Sequence, residues 1–165
     1  MQSKFELADL RRLATTQSEE DFLALTLPEP VFYVEQFLDL SDEDQFLTSQ
    51  GKTAESRRID LFFLLHKRSG ANNFTSMVTV GRAGNNDVVI PGEGVSKFHA
   101  YFMRVRTDWT LVDAGSSLGT FVEDQLLEAR KERAPMTNGT RIRLGNAIVG
   151  RYLDPAGCLA LLKSL

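Results

Sequence analysis

Polar, charged and glycine residues are concentrated in four short segments between residues 81 and 145, and short apolar runs separate these segments. They are a Gly-Arg pair, a Ser-x-x-His segment, an Asp-x-x-Ser-x-x-Gly-Thr segment and an Asn-Gly pair. Loops on a rigid β scaffold are where binding residues usually lie. We therefore expect these four loops to form the functional site, and their basic and hydroxyl side chains favour local binding of a phosphate group.

The distribution of charge argues against nucleic acid as the ligand. Residues 1–55 carry 4 Lys/Arg against 12 Asp/Glu, and residues 56–165 carry 15 against 10, within an overall charge of −3. The second part is mildly basic, but its Lys and Arg residues are scattered and form no run of the kind that follows a DNA backbone. We expect no nucleic-acid partner.

The composition also limits the compartment and the cofactors. No apolar run approaches the roughly 20 residues of a membrane helix, and nothing indicates secretion or a membrane partner. The one cysteine, Cys158, cannot form an internal disulfide, which predicts a cytoplasmic protein. With only His66 and His99 besides it, a metal site is not expected, and no cofactor is expected either.

The elements around the loops are predicted to be short β-strands. In residues 140–144 apolar side chains alternate with arginines, as in a sheet with one face in water. Many short strands separated by Gly and Asn turns predict a mainly β protein, a β-sandwich or barrel. The predicted strands cover residues 59–65, 74–80, 88–90, 99–105, 109–112, 119–122, 140–144 and 147–152, and the first two are expected to pair as a hairpin.

The two ends of the chain carry the predicted helices. Residues 4–15 have near-helical apolar spacing, Ser18 resembles a helix cap, and residues 31–34 predict a short strand or extended segment. A helical turn from Ser41 and a polar linker over 48–56 should follow. Asp154 and Pro155 predict a capped terminal helix over 156–162. We therefore divide the chain into an acidic, partly helical extension (1–55) and a β domain (56–165).

The order and spacing of the loop residues resemble the forkhead-associated (FHA) family of phosphothreonine-binding domains. The resemblance covers about residues 57–153 and implies a two-sheet β-sandwich that binds phosphopeptides without catalysis. Each motif is weak alone, but five in family order are specific. They are Gly81-Arg82, Asn86-Asp87 with the strand after it, Ser96-Lys97-Phe98-His99, Asp113-Ala114-Gly115-Ser116-Ser117-Leu118-Gly119-Thr120, and Asn138-Gly139 leading into residues 142–145.

The resemblance implies a role for each loop residue. Arg82 would meet the phosphate with its planar guanidinium, and the Ser96 hydroxyl would donate to it. Lys97 and Ser117 would add auxiliary contacts, although Lys97 could equally be a solvated surface lysine. A second group would support the site structurally, with His99 bracing the loops through hydrogen bonds: Gly81, His99, Asp113, Gly119 and Thr120.

Leu118 is the main departure from the family pattern, which places asparagine there to bind the peptide backbone. Leucine offers neither donor nor acceptor, so peptide affinity should be weaker by roughly ten- to hundredfold, or an apolar ligand side chain should be preferred. Two alternatives stay open. One is a degenerate FHA scaffold that binds partners without phosphate. The other, more remote, is a serine hydrolase, because Gly115-Ser116-Ser117-Leu118-Gly119 matches a Gly-x-Ser-x-Gly elbow.

The expected partners are a threonine-phosphorylated protein and, upstream of it, a Ser/Thr kinase. A further hypothesis concerns Thr15 and Thr16, which acidic residues follow. Phosphorylation there could allow capture by the chain's own site or by a neighbour's, producing self-association. The alternative interpretation, which we favour, is that both threonines only precede the helix cap at Ser18.

Overall fold

The computed structural model describes residues 2–39 and 57–165, which form two β-sheets packed face to face with short helices on one side. This confirms the predicted mainly β, two-sheet sandwich. The strands are β1 (Lys4–Glu6), β2 (Val31–Asp39), β3 (Arg57–Leu64), β4 (Met77–Gly81), β5 (Val88–Val89), β6 (Ala100–Val105), β7 (Asp108–Asp113), β8 (Thr120–Val122), β9 (Gln125–Leu126), β10 (Ala134–Met136), β11 (Arg141–Leu144) and β12 (Ile148–Leu153).

The larger sheet has seven antiparallel strands in the order β1-β3-β2-β12-β11-β8-β9. The smaller has the order β10-β7-β6-β4-β5, and only β4 and β5 among its neighbours run parallel. In β11, Ile142 and Leu144 are buried while Arg141 is exposed, so the predicted alternation is present. The main core lies between the sheets, where apolar side chains such as Phe63, Phe102 and Leu111 meet.

Helices cover the outer face of the seven-stranded sheet. They are α1 (Leu7–Thr16), α2 (Glu19–Asp21) with a π-helical turn after it (Phe22–Thr26), and α3 (Pro155–Ser164). They bury a second apolar cluster against the sheet, formed by Phe5, Leu10, Phe22, Leu27, Val31, Tyr33, Phe62, Leu64, Leu153, Cys158, Leu159 and Leu162. Both predicted caps are present, because Ser18 Oγ accepts from the Asp21 N–H and Asp154 Oδ1 from the Gly157 N–H.

Two local predictions were wrong. Residues 4–6 form an edge strand before α1 instead of its first turn, because their backbone pairs with β3. The predicted hairpin between residues 59–65 and 74–80 is also absent, since β3 and β4 lie in different sheets. The apolar run of β3 faces two cores at once: Leu61 and Phe63 point to the sandwich interior, and Phe62 to the helices. Such a strand needs neighbours on both edges, and β1 and β2 supply them.

The larger sheet takes β1 and β2 from residues that the sequence analysis assigned to the N-terminal extension. The predicted boundary between residues 55 and 56, the helical turn from Ser41 and the linker over 48–56 lie outside the described residues. The division into extension and domain therefore stays a prediction.

Candidate functional site

Strand ends bring three of the four polar segments to one end of the sandwich. The Asn138-Gly139 pair, expected at the same site, instead precedes β11 at the opposite end, where the Gly139 N–H donates to the Tyr152 carbonyl and the Asp154 N–H to Asn138 Oδ1. In the smaller sheet, the end of β4 pairs with the start of β6, and Ala100 at that start pairs with Asp113 at the end of β7. In the larger sheet, Thr120 at the start of β8 pairs with Leu144 at the end of β11. A hydrogen bond from His99 Nε2 to the Gly119 carbonyl joins the two sheets at this end (3.0 Å).

Arg82 and Lys97 are two exposed cations in segments whose backbones are hydrogen-bonded to each other at this end. The Arg82 N–H donates to the Ser96 carbonyl (3.0 Å) and the Ala83 N–H to the Lys97 carbonyl (3.3 Å). Neither cationic side chain has a hydrogen-bond or ion-pair partner among residues 2–39 and 57–165. Arg82 also lines an open surface depression with Pro91, Gly92 and Glu93.

Gly81 allows this close approach of the two loops. A β-carbon at residue 81 would lie 2.8 Å from the Lys97 carbonyl carbon and 2.9 Å from Asn86 Nδ2, closer than real Cβ contacts. Asn86 Nδ2 itself donates to the Lys97 carbonyl (2.6 Å) and to the Ala83 carbonyl (2.8 Å). The Gly81-Arg82 turn and the Ser96-Lys97 segment are therefore fixed to each other through the backbone.

Ser96 and Ser117 lie in direct contact, 21 residues apart in sequence. The Ser117 N–H donates to Ser96 Oγ at 3.0 Å, and the two hydroxyl oxygens are 3.5 Å apart. That long separation leaves the Ser96 hydroxyl hydrogen weakly engaged, so it can donate to an anion.

His99 is fully buried and both of its ring nitrogens are used. Nδ1 accepts from the Ser96 N–H (3.0 Å), so the ring proton lies on Nε2, which donates to the Gly119 carbonyl. Burial lowers the pKa of His99, against opposing effects of the Gly119 carbonyl and Asp113, which favours this neutral form. His99 therefore ties the Ser96 loop to the Gly119 loop and has no ring nitrogen left for a ligand.

Asp113 organises the loop that carries Ser117. Its carboxylate accepts four hydrogen bonds, from the Gly115 N–H (2.7 Å), the Ser116 N–H (2.9 Å), the Ser116 hydroxyl (2.6 Å) and the Thr120 hydroxyl (2.6 Å). Burial alone would raise the pKa of Asp113, but these hydrogen bonds outweigh it and hold the pKa below its ordinary value. Gly119 adopts a φ of +82°, a conformation that favours glycine.

Two arginines near the site were missed by the sequence analysis. The Arg130 guanidinium lies against Gly115, and Nε donates to the Ala114 carbonyl (3.1 Å). Arg143 stacks over the Phe121 ring at 3.6 Å and donates to the Gly145 carbonyl (2.5 Å). Arg130 lies outside the motifs of the sequence analysis. Arg143 lies within the motif of residues 142–145 but was given no role, because its contacts with Phe121 and Gly145 follow only from the fold.

Residues 78–145, which carry this site, match the family model of the FHA domain. The chain contains an FHA domain. No curated protein sequence matches the chain.

Solved FHA domains are among the structures to which the chain is similar. The FHA domain of an Arabidopsis thaliana hypothetical protein, solved in solution, is 19% identical in sequence to this chain. The match covers 76% of this chain and 86% of that domain, with a TM-score of 0.49. The crystal structure of the MEK1 FHA domain is 16% identical, covering 83% and 99%, with a TM-score of 0.49. The FhaA FHA domain complexed with the intracellular domain of Rv3910 is 16% identical, covering 74% and 98%, with a TM-score of 0.44.

Leu118 lies at the rim of the FHA site with 49% of its surface exposed. It is packed beside Gly145 at the end of β11, since a β-carbon built on that glycine would lie 3.4 Å from the Leu118 Cβ. This position presents an apolar side chain next to Ser117, where the family pattern has an amide.

The FHA site lacks the geometry of a nucleophile elbow. An elbow places its serine between a strand and a helix, whereas the segment after Ser117 enters strand β8. Both nitrogens of His99 are bonded to backbone groups, so it is not positioned as a base for Ser117.

Metal-binding clusters and membrane-spanning helices are both absent from the described residues. Within 2–39 and 57–165, no three or more His, Cys, Asp or Glu side chains are grouped so that they could hold a metal ion. No helix in the same ranges is long and apolar enough to span a membrane.

Proposed function

We propose that this chain binds phosphothreonine-containing segments of partner proteins in Ser/Thr kinase signalling and performs no chemistry on them. The observation that carries this proposal is that the Arg82 backbone is hydrogen-bonded to Ser96, which contacts Ser117, while the exposed side chains of Arg82 and Lys97 have no partners among the described residues. The match of residues 78–145 to the FHA family model supports it.

The proposed roles follow from charge and hydrogen bonding. A phosphothreonine carries a charge of about −1.5 to −2 at neutral pH and three strong acceptor oxygens. Arg82 would bind two of these oxygens with its guanidinium fork, Ser96 would donate its hydroxyl, and Lys97 and Ser117 would assist. The supporting residues would preorganise the site, because His99 and Asp113 hydrogen-bond to backbone groups of the two loops. Such preorganisation reduces the entropic cost of binding.

Titration of the protein with a degenerate phosphothreonine peptide library tests the proposal. We expect binding that requires the phosphate and that Arg82→Ala removes. Arg11→Ala is the matched control, because Arg11 is an exposed arginine on α1, which packs on the outer face of the seven-stranded sheet away from the loops. Phosphate-dependent binding that survives in Arg82→Ala would refute the assigned site.

A degenerate scaffold that ignores phosphate is the second candidate, and Leu118 is the observation that favours it. The two candidates predict different results in the same titration. Absence of phosphate-dependent binding to every library peptide would favour the scaffold and direct the search for partners to residues 1–55.

Self-association through phosphorylated Thr15 or Thr16 needs a local structural change. Both threonines form the end of α1, and their hydroxyls donate to the Arg12 carbonyl at 2.8 and 2.9 Å. The last turn of α1 would have to unwind before the FHA site could hold either residue in an extended segment. The upstream kinase and the cytoplasmic location also stay predictions.

A further inference from the structure

A cavity of about 290 Å³ lies at the end of the sandwich opposite the FHA site. Met77 at the start of β4 bounds it, together with the end of β6, where Arg104 pairs with Trp109 of β7. The FHA loops lie at the other ends of these same three strands. We call this space the far-end cavity.

The wall of the far-end cavity is largely apolar and partly aromatic. Leu65 and Phe102 are buried in it, and Trp109 is 7% exposed. Thr75 and Ser76 at its rim are exposed, so the cavity can be entered from solvent. A single water needs only roughly 10–15 Å³ of such a volume, and few voids in close-packed proteins are larger than a water. The far-end cavity is therefore large enough for a ring-sized group.

His66, which also lines the far-end cavity, has a buried ring nitrogen without a partner. No group within residues 2–39 and 57–165 forms a hydrogen bond with its Nδ1. The large majority of buried side-chain polar atoms in proteins do have a partner. The cavity and the unpartnered nitrogen are separate observations, and both point to a ligand group at this place.

The charged side chains beside the far-end cavity narrow the class of ligand. Arg104 Nη1 on β6 lies 3.3 and 3.2 Å from the two carboxylate oxygens of Glu29, which precedes β2 of the other sheet. Lys67 Nζ donates to Asp87 Oδ2 (2.6 Å) and to Asn72 Oδ1 (2.9 Å). Because these lysine, arginine and glutamate groups already have partners, they favour a neutral ligand over a charged one, which would bury an unpaired charge.

We propose that the far-end cavity binds a neutral aromatic group that carries one hydroxyl or ring N–H, as a phenol or an indole does. The aromatic and apolar wall contacts the ring, and His66 hydrogen-bonds the polar atom, since a neutral imidazole has one donor and one acceptor. Small aromatic molecules have this chemistry, and so do tyrosine and tryptophan side chains of a partner protein. The inference does not rest on the proposed function, because the two sites lie at opposite ends of the sandwich.

Titration of the isotope-labelled full chain with p-cresol and with toluene, followed by NMR, tests the inference. p-Cresol is toluene with one added hydroxyl, so the pair isolates the hydrogen bond. The chain contains one tryptophan, Trp109, and its indole N–H signal therefore reports on the cavity without ambiguity. His66→Leu removes the hydrogen-bonding nitrogens and keeps an apolar side chain of similar size.

Thr110→Val is the matched control variant. Thr110 Oγ1 is also a buried atom without a hydrogen-bond partner among the described residues. Its neighbours Trp109 and Leu111 belong to the core between the sheets, so Thr110 faces the opposite side of β7, away from the cavity. The backbone amide spectrum of each variant verifies that it is folded.

We expect p-cresol to shift the Trp109 indole signal and to bind roughly three- to tenfold more tightly than toluene, which is the value of one hydrogen bond. His66→Leu should remove this difference and still bind toluene, whereas Thr110→Val should change neither affinity. An indole signal that neither compound shifts would overturn the inference and assign the cavity to water. Equal affinities in the wild type, or a preference for p-cresol that persists in His66→Leu, would also overturn it.

Peptides distinguish the two sources of the aromatic group. The probes are the blocked tripeptide Ala-Tyr-Ala and its counterpart with leucine in place of tyrosine. If only the tyrosine peptide competes with p-cresol, the inference is supported and the ligand is a side chain of a partner protein. If p-cresol binds and neither peptide competes, the inference is supported and the ligand is a free small molecule. Loss of phosphopeptide binding in Arg82→Ala should leave all of these results unchanged.

Discussion

Protonation of His99 should destabilise the fold and loosen the link between the two binding loops. In the folded protein Nδ1 accepts from the Ser96 N–H, so a proton on Nδ1 must displace that hydrogen bond. Burial lowers the pKa of His99 in the folded state. Between this lowered pKa and the ordinary value near 6.5, the unfolded chain holds a proton that the folded chain does not.

The sign and size of the effect follow from proton linkage. Because the unfolded state binds more protons in that window, the free energy of unfolding decreases as the pH falls. The titration of one histidine can change the free energy of unfolding by at most about 1.4 kcal/mol per pH unit. Above about pH 6.5 His99 is neutral in both the folded and the unfolded state, so its titration does not reduce stability there. The free energy of unfolding should begin to decrease as the pH falls below that value.

Two variants separate the two hydrogen bonds of His99. In His99→Asn the amide oxygen takes the place of Nδ1 and can accept from the Ser96 N–H, and in His99→Gln the amide nitrogen takes the place of Nε2 and can donate to the Gly119 carbonyl. Each variant leaves one buried backbone group unpaired, at a cost of roughly 1–3 kcal/mol. Neither variant titrates at residue 99.

Urea unfolding at pH 7.5 and 5.5 is the assay. We expect both variants to be less stable than the wild type at pH 7.5 and to lose less stability than it does on acidification. Every other titratable group is common to the three proteins, so the difference between their pH dependences reports residue 99. Equal pH dependence in all three, or greater loss in the variants, would refute the assignment of a neutral bridging histidine.

Other predictions follow from the packing around the site. Gly81→Ala should lower the free energy of unfolding by about 1–3 kcal/mol, because the added β-carbon would push away the Lys97 segment. Gly84→Ala should be nearly neutral, because a β-carbon there meets nothing within 4 Å. Equal midpoints of urea unfolding for the two variants would contradict this prediction. Burial raises the pKa of the Cys158 thiol to about 12, so it should resist alkylation at pH 8 until the protein is unfolded, and rapid labelling of the folded protein would disprove it. Leu118→Asn should strengthen phosphopeptide binding by roughly ten- to hundredfold, measured by titration, and unchanged affinity would show that residue 118 does not contact the peptide.

Much of the fold could be predicted because its signals are local. The alternation in residues 140–144 predicted β11, and Ser18 and Asp154 predicted helix caps that are present. These features depend on residues within one turn or one strand, where side-chain periodicity and capping chemistry act. The partners of β3 were not predictable in the same way, because its apolar run does not show which strands will cover its edges.

The sequence alone determined which chemical groups the site contains. The order of Arg82, Ser96, His99 and Asp113 at family spacing identified the three loops that meet at one end of the sandwich, since the identities of donors and acceptors are properties of the residues themselves. It also identified Leu118 as the departure from the family pattern.

Only the tertiary structure decided how these groups relate to one another. The contact of Ser117 with Ser96, the bridge from His99 to Gly119 and the stacking of the Phe74 and Phe98 rings all join residues far apart in the chain or in different loops. Such contacts depend on which strand ends meet at one end of the sandwich, and that is set by burial of two cores at once. The same packing leaves Arg82 without a partner among the described residues and gives His99 a lowered pKa, because local sequence fixes neither the neighbours of a charge nor its burial.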